Sequence, residues 1–110
     1  MAYPKVRTVA ARILNALAAR PMTRRELIAV VKPKLHNKSW NDLFTRAPSE
    51  NDQRHFARTG KYPRRLAASL PLRGMIELRG KEGNSFIWGI TPYGWEVLGD
   101  AVARGVNVIG

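Results

Sequence analysis

A chain of 110 residues, of which 45% are hydrophobic and nine are Phe, Trp or Tyr, is long enough for one hydrophobic core and too short for two comfortable ones. The absence of Cys excludes disulfides and thiolate zinc sites, and two His residues are too few for a metal site, so we expect neither metal nor cofactor. The formal net charge of +11 attracts polyanions, which makes a nucleic acid the first partner to consider.

The first predicted elements are two helices. Apolar residues recur every three or four positions from Val6 to Ala19, which is typical of one helical stripe, and Pro21 ends it. The following "TRRE" fits a capping box, in which the Thr23 hydroxyl accepts from a first-turn amide and the Glu26 carboxylate reaches back. It predicts a second helix over about residues 24–31. The core side of this helix is expected to contain Leu27, Ile28, Val30 and Val31.

Two short helices are predicted in the polar segment that follows. The first, in "SWND", would have Ser39 as its N-cap residue. The second, in "SEND", would begin with a capping box of Ser49 and Asp52, continue to about Arg58 and end at Gly60 in the left-handed conformation. The large apolar residues of the segment are Trp40, Leu43, Phe44 and Phe56.

A third long helix is predicted to begin at Tyr62 and Pro63, because proline suits the first helical turn, where the amides have no partners. Leu66 and Leu70 would face inward. We expect the helix to end near Leu70, with Leu72 still packed and Gly74 providing the exit.

The rest of the chain predicts a β-hairpin and a last helix. Residues 75–79 and 85–90 have β-forming composition, and the turn residues 80–84 separate them. Thr91 and Pro92 then supply an N-cap and a first-turn proline for a helix that runs to about Arg104.

This order of elements, with the motifs "PMTRREL", "LPLRGMIEL" and "FIWGITPYGWEVL", resembles the winged helix-turn-helix family, and the Thr-x-x-Gly helix start resembles its MarR-like members. The resemblance implies a fold of the α+β class, mainly α, with a small β-hairpin wing. The sequence departs from compact members of the family between residues 32 and 61, where we expect a helical insertion before the recognition helix. We expect a single winged-helix domain spanning residues 1–110.

The resemblance implies binding to double-stranded DNA, as in a small transcriptional regulator. The helix that begins near Tyr62 would enter the major groove, and the tip at residues 80–84 would contact the adjacent backbone. Positive charges cluster at the start of that helix, at the hairpin tip and at the start of the second helix. The candidate nucleic-acid-binding residues are Thr23, Arg24, Arg25, Arg58, Lys61, Tyr62, Arg64, Arg65, Arg79 and Lys81.

Two other functions remain open at this point. A winged-helix protein-interaction module, such as an adaptor or inhibitor of a transcription or replication complex, would use Trp40, Leu43 and Phe44 as an apolar patch. A basic RNA-binding or ribosome-binding protein would have the same composition. An enzyme is not expected, because the sequence contains no Ser/His/Asp or Cys/His constellation and no phosphate-cradling glycine loop.

The remaining expectations concern assembly and location. The resemblance admits a homodimer, although no segment after Arg104 is long enough for the flanking dimerisation helices of MarR-like proteins. No apolar run approaches the roughly 20 residues of a membrane span, and the N-terminus has no signal-peptide pattern. We therefore expect a cytoplasmic protein without membrane contact, associated with the nucleoid if it is bacterial.

Overall fold

The computed structural model describes residues 3–31 and 37–109, without the side chains of residues 37–39 and 65. Within these residues the fold is α+β and mainly helical, which confirms the predicted class. The elements in chain order are α1 (Thr8–Ala19), β1 (Met22–Thr23), α2 (Arg24–Val31), α3 (Asn37–Leu43), α4 (Glu50–Thr59), a 3₁₀ helix (Arg64–Ala68), β2 (Ile76–Glu82), β3 (Ser85–Ile90) and α5 (Pro92–Ala103).

Contacts within the chain cluster into two compact units. Unit 1 comprises Met1–Lys34 and Gly74–Gly110, and unit 2 comprises Leu35–Arg73. Unit 1 has eleven Lys and Arg against five Asp and Glu, a formal charge of +6, whereas unit 2 has eight against three, a charge of +5. Unit 2 therefore carries nearly the same excess on about half as many residues. The single domain over residues 1–110 stays a prediction.

Unit 1 contains a three-stranded antiparallel sheet in the order β1-β3-β2. Met22 of β1 lies opposite Trp88 of β3, and Ile76 of β2 lies opposite Ile90 on the other side of β3. The sequence predicted β2 and β3 but missed β1, because a strand of two residues has no periodicity and its partner is distant in the chain.

Helices α1 and α2 pack on the sheet and on each other, and α5 packs on α1. Helix α1 contacts α2, β3 and α5. The predicted core side of α2 is wrong for Ile28 and Val30, which are exposed. A helix of eight residues buries one stripe, and in α2 that stripe contains Leu27 and Val31. The buried side chains of unit 1 include Ile13, Leu14, Leu17, Leu27, Met75, Trp88, Val97 and Ala101.

Strand β2 and helix α5 begin side by side, at what we call the Thr91–Gly94 joint. The Thr91 hydroxyl donates to the Gly74 carbonyl oxygen at 2.6 Å and accepts from the Gly94 amide at 2.9 Å, and the Thr91 amide donates to the Met75 carbonyl oxygen at 3.0 Å. A Cβ atom on Gly94 would collide with that carbonyl oxygen and lie 2.8 Å from Cγ1 of Ile90. The Thr-x-x-Gly pattern is thus explained by a shared hydrogen-bonding oxygen and a close backbone approach.

Two helices in unit 2 precede the 3₁₀ helix. Helix α3 begins at Asn37, so the prediction of Ser39 as its N-cap residue is wrong. Helix α4 confirms its predicted capping box: the Ser49 amide donates to Asp52 Oδ2 at 2.9 Å, and the Asp52 amide donates to Ser49 Oγ at 3.2 Å. Gly60 ends α4 at φ 78°, a left-handed conformation that glycine adopts without strain.

The predicted recognition helix is wrong in type and length. In place of an α-helix from Tyr62 to about Leu70, the structure has the five-residue 3₁₀ helix, with Pro63 at its N-cap instead of inside the first turn. Pro71 restricts the backbone of the residue before it and supplies no amide, so a helix after Pro63 is confined to residues 64–70, at most about two turns.

The hydrophobic expectations for this segment are confirmed in part. Leu66 and Leu70 are buried as predicted, but Leu72 is exposed. The Leu70 amide donates to the Leu43 carbonyl oxygen at 2.9 Å, and the fully buried Ser69 hydroxyl donates to the Thr45 carbonyl oxygen at 2.6 Å. These bonds join the end of α3 to the residues after the 3₁₀ helix.

The described part of the chain has no helix long and apolar enough to cross a membrane.

Candidate nucleic-acid interface

Helix α4 of unit 2 is largely exposed to solvent. Asp52 is its single buried residue. Its first turn carries Glu50 and Asp52 and its last turn carries Arg58, an arrangement that matches the helix dipole at both ends. The capping box and this charge order explain why so polar a sequence forms a helix. The basic half of α4 is left facing solvent.

Unit 2 has three side chains that we group as the unit 2 cations: Arg58, Lys61 and Arg64. All three are exposed. The Arg58 guanidinium lies 3.4 Å from Nδ1 of His55, and no ion pair to any of the three is found within the residues that the structure describes. The sequence from residue 53 to residue 76 contains no Asp or Glu, so the unit 2 cations have no acidic neighbours within this stretch.

Two of the three acids of unit 2, Glu50 and Asp52, have local roles in α4. The Glu50 carboxylate pairs with Arg54 at 3.3 Å, one helical turn away, and Asp52 caps α4. The Glu50–Arg54 pair is highly exposed on both sides, and such pairs contribute little to stability and are easily exchanged. Arg54 is therefore a further accessible cation, which the sequence analysis did not include among the candidates.

Tyr62, a predicted site residue, stacks on Phe56. The ring centroids are 4.5 Å apart with an interplanar angle of 26°, and each residue is 44% exposed. Sequence reasoning missed this pair, because Tyr62 was assigned to a helix of its own and Phe56 to the preceding one. Arg65, the remaining predicted site residue of unit 2, has its side chain outside the described atoms.

The predicted residues at the start of α2 differ from one another. Thr23 is buried, its amide donates to Glu26 Oε1 at 3.1 Å and its hydroxyl accepts from the Glu26 amide at 3.2 Å, which confirms the capping box. The Thr23 hydroxyl is therefore buried and engaged in the capping box, and it is not accessible to a phosphate. Arg24 is partly buried, and the burial lowers the pKa of its guanidinium, while Arg25 is exposed. Arg25 is the accessible member of the group.

The capping box also fixes the electrostatics of Glu26. The Thr23 amide and the Arg20 guanidinium, 2.8 Å from the carboxylate, hold the pKa of Glu26 below its usual value. The positive charge of Arg20 is therefore engaged within unit 1.

The hairpin differs from its predicted shape. Residues 80–82 belong to β2, so the turn is reduced to Gly83 and Asn84, with Gly83 at φ 59°. The register shifts between Leu78 and Gly80, which leaves Arg79 as the extra residue of a β-bulge. The boundaries were missed because a bulge depends on the pairing of two strands and not on local composition.

The two predicted cations of the hairpin have different surroundings. The Arg79 side chain lies across Gly89, pairs with Glu77 at 2.9 Å and donates to the Ile90 carbonyl oxygen at 2.9 Å. Lys81 is exposed, with its Nζ 5.7 Å from the centre of the Phe86 ring. Lys81 therefore remains available to a ligand, whereas Arg79 holds the hairpin together.

Two further findings concern metal ligands and the apolar patch suggested for a protein partner. Among the described residues, no three His, Asp or Glu side chains are grouped so that they could hold a metal ion. Trp40, Leu43 and Phe44 are buried, with the Trp40 and Phe44 rings 5.3 Å apart, so the apolar patch suggested for a protein partner is not exposed.

No protein-family model, no curated protein and no solved structure matches this chain.

Proposed function

We propose that the protein binds double-stranded DNA through unit 2, with α4 in the major groove and the unit 2 cations on the phosphates beside it. The observation that carries the proposal is the exposure of Arg58, Lys61 and Arg64 in a region that has no acids from residue 53 to residue 76. Exposed cations without acids nearby in the sequence attract polyanions, and phosphate contacts supply most of the affinity in nonspecific DNA binding.

Helix α4 suits the groove in size and exposure. An α-helix with its side chains is about 10 to 12 Å across, and the B-DNA major groove, about 12 Å wide, admits a single helix. The ten residues of α4 give about 15 Å of helix along the groove. Arg54 and Arg58 lie four residues apart and so share one side of α4, where they are accessible. Arginine is well suited to guanine edges and to phosphates because its guanidinium donates two parallel hydrogen bonds. In this proposal α4 takes the role that the sequence analysis gave to the helix after Tyr62.

The finer fold assignment, a winged helix-turn-helix, is part of the same proposal. Unit 1 supports this assignment. Its short strand β1, between α1 and α2, pairs with the β-hairpin of β2 and β3, and a final helix follows the hairpin in the chain. The accessible Lys81 near the hairpin end is suited to a phosphate contact. A small transcriptional regulator remains the functional class that these features favour, and the proposal is of a binding protein without catalytic activity.

The first test is the salt dependence of duplex binding. With roughly 5 to 8 phosphates neutralised, a plot of log K against log salt concentration should have a slope of about −4 to −7. Fluorescence anisotropy with a labelled duplex measures this slope. Binding that does not change with salt would rule out the proposed phosphate contacts.

The second test locates the contacts. The triple variant Arg58→Gln, Lys61→Gln, Arg64→Gln should reduce the magnitude of the slope by about 3, one for each phosphate contact. The matched control Lys5→Gln, Arg20→Gln, Arg104→Gln removes the same charge from unit 1 and should change the slope much less. Equal effects of the two triples would mean that net charge alone attracts DNA. Tighter binding of a structured RNA than of the duplex would favour the RNA-binding alternative instead.

A further inference from the structure

Two aromatic rings form an exposed stack at the end of α4. Phe56 belongs to the last turns of the helix, and Tyr62 follows the glycine that ends it. Their centroids are 4.5 Å apart and their planes differ by 26°, so one face of each ring is turned to the other ring. Each residue is nevertheless 44% exposed, although the two rings are stacked on each other. We call this pair the aromatic platform.

A purely structural role accounts for part of this arrangement. The Gly60 amide donates to the Phe56 carbonyl oxygen at 2.7 Å, and helices that end at such a glycine commonly have an apolar contact across the end. Two aliphatic side chains would supply that contact equally well. The role does not require two stacked rings that leave this much aromatic surface in water, where apolar area is unfavourable.

The chain around the platform is cationic. Arg58, Lys61 and Arg64 lie within two residues of Phe56 or Tyr62 in the sequence, and all three are exposed. An aromatic face beside positive charges that follow a backbone is the combination that binds single-stranded nucleic acid, because every base has a π face and every nucleotide has a phosphate. An acidic peptide would use the charges but would have no need of the rings.

We propose that the aromatic platform receives an unpaired base of DNA, while the unit 2 cations hold the phosphates on either side of it. The inference rests on the proposed DNA binding and specifies the class of ligand: duplex DNA with an unpaired nucleotide next to the paired region. The base stacks on the outer face of the ring pair, and the stack of Phe56 on Tyr62 fixes both rings before the base arrives.

The test compares duplexes that share one paired sequence. The first has blunt ends, the second has a short overhang of thymidines, and the third has an overhang of equal length made of abasic nucleotides, which keep the phosphates and lack the bases. The thymidine overhang should bind more tightly than the abasic overhang by about 5- to 150-fold for one stacked base. Binding is measured by competition against a labelled duplex at fixed salt.

The results separate the two proposals. Equal affinity for the two overhangs, with the blunt duplex bound, would overturn the platform and leave duplex binding intact. Loss of blunt-duplex binding, with the thymidine overhang still preferred over the abasic one, would overturn duplex binding alone. A uridine overhang of RNA that binds more tightly than the thymidine overhang would overturn the assignment to DNA.

Variants of the platform provide the second line of evidence. Tyr62→Leu and Phe56→Leu keep an apolar contact at the helix end and should abolish the preference for thymidine over abasic overhangs. Tyr62→Phe retains the ring and should keep the preference, which makes it the matched control. Circular dichroism and thermal unfolding establish that each variant is folded. An unchanged preference in both leucine variants would contradict the proposal.

A measurement on the unaltered protein avoids the question of folding. A 2-aminopurine base in the overhang loses fluorescence when it stacks on an aromatic ring, so its emission should fall on binding. The same base placed inside the duplex should respond less. Emission that is unchanged for the overhang base when binding is complete would also overturn the proposal.

Discussion

Units 1 and 2 have nearly equal excess positive charge but use their cations differently. In unit 1 the guanidinium groups of Arg20, Arg79 and Arg104 pair with carboxylates at 2.8 to 3.0 Å. In unit 2 the side chains of Arg54, Arg58, Lys61 and Arg64 are exposed, and no Asp or Glu occurs from residue 53 to residue 76. Of these four, Arg54 has a weak, exposed pair with Glu50. The comparison teaches that net charge does not distinguish the two units, whereas the distribution of the few acids does.

The two units also differ in how they are held together. Unit 1 has a sheet on which α1 and α2 pack, and its buried side chains include Ile13, Leu14 and Val97. Unit 2 has no strand among its described residues, and it combines a small apolar cluster with hydrogen bonds of Ser69 and the capping box of α4. We therefore test unit 1 by a change of shape and unit 2 by the loss of a single polar group.

The largest expected effect tests the packing of unit 1. Gly94→Ala should lower the free energy of unfolding by about 3 kcal/mol, because the new Cβ collides with the backbone carbonyl of Met75, which cannot move aside cheaply. Gly99→Ala is the matched control in the same helix, where nothing lies within 4 Å of the new Cβ. It should raise the free energy of unfolding by up to about 1 kcal/mol. Urea unfolding measures both, and equal effects would show that the close approach at Gly94 has no energetic consequence.

The next effect tests the polar ordering of unit 2. Ser69→Ala should lower the free energy of unfolding by about 1 to 3 kcal/mol, because it leaves the Thr45 carbonyl oxygen and the Leu72 amide without their hydroxyl partner. Ser85→Ala, at an exposed strand end, should change it by less than about 0.5 kcal/mol. Indistinguishable denaturation curves for the two variants would contradict this description of unit 2.

A crossed pair of variants tests the difference between the two kinds of cation. Arg79→Gln should cost about 1 kcal/mol of stability, because it removes the hydrogen bond to Ile90 and the pair with Glu77, and it should leave duplex affinity nearly unchanged. Arg58→Gln should have the opposite emphasis, with weaker duplex binding and a smaller loss of stability than Arg79→Gln, since an exposed charge at a helix end contributes roughly a few tenths of a kcal/mol. The comparison between units fails if Arg79→Gln weakens DNA binding as much as Arg58→Gln does.

The smallest effect concerns pH. The pKa of Glu26 is depressed in the folded chain, so the contribution of its carboxylate to stability is present above the unfolded pKa and is lost as the pH falls through the folded pKa. Glu26→Gln should be less stable than the wild type at neutral pH, and the difference should shrink as the pH falls through the depressed pKa of the folded chain. Glu82→Gln, at the exposed end of β2, is the control. A difference between wild type and Glu26→Gln that stays constant with pH would exclude the titration of this carboxylate as its cause.

The sequence predicted those features whose interactions lie within a few residues. The capping boxes of α2 and α4, the Thr91 N-cap and the left-handed Gly60 were all predicted, because each is a bond between near neighbours in the chain. The exposed cations at Lys61 and Arg64 were predicted for the same reason, since an acid-free stretch is visible in the sequence itself.

The features that were missed depend on partners far apart or on competing local effects. Strand β1 exists through its pairing with β3, and Arg79 is engaged through a bulge that no local pattern indicates. The 3₁₀ helix replaced an α-helix because the second proline outweighed the helical spacing of the leucines. The stacking of Tyr62 on Phe56 requires the turn at Gly60 to bring the rings together.

The Thr91–Gly94 joint sets the substitutions that this part of the chain can accept. One hydroxyl oxygen serves two backbone partners, so serine can replace Thr91, whereas valine, which has the same outline, cannot. In a library that samples every amino acid at each position, selection for folded protein should leave positions 91 and 94 nearly fixed. Positions 95 and 99 of the same helix face solvent and should accept many residues.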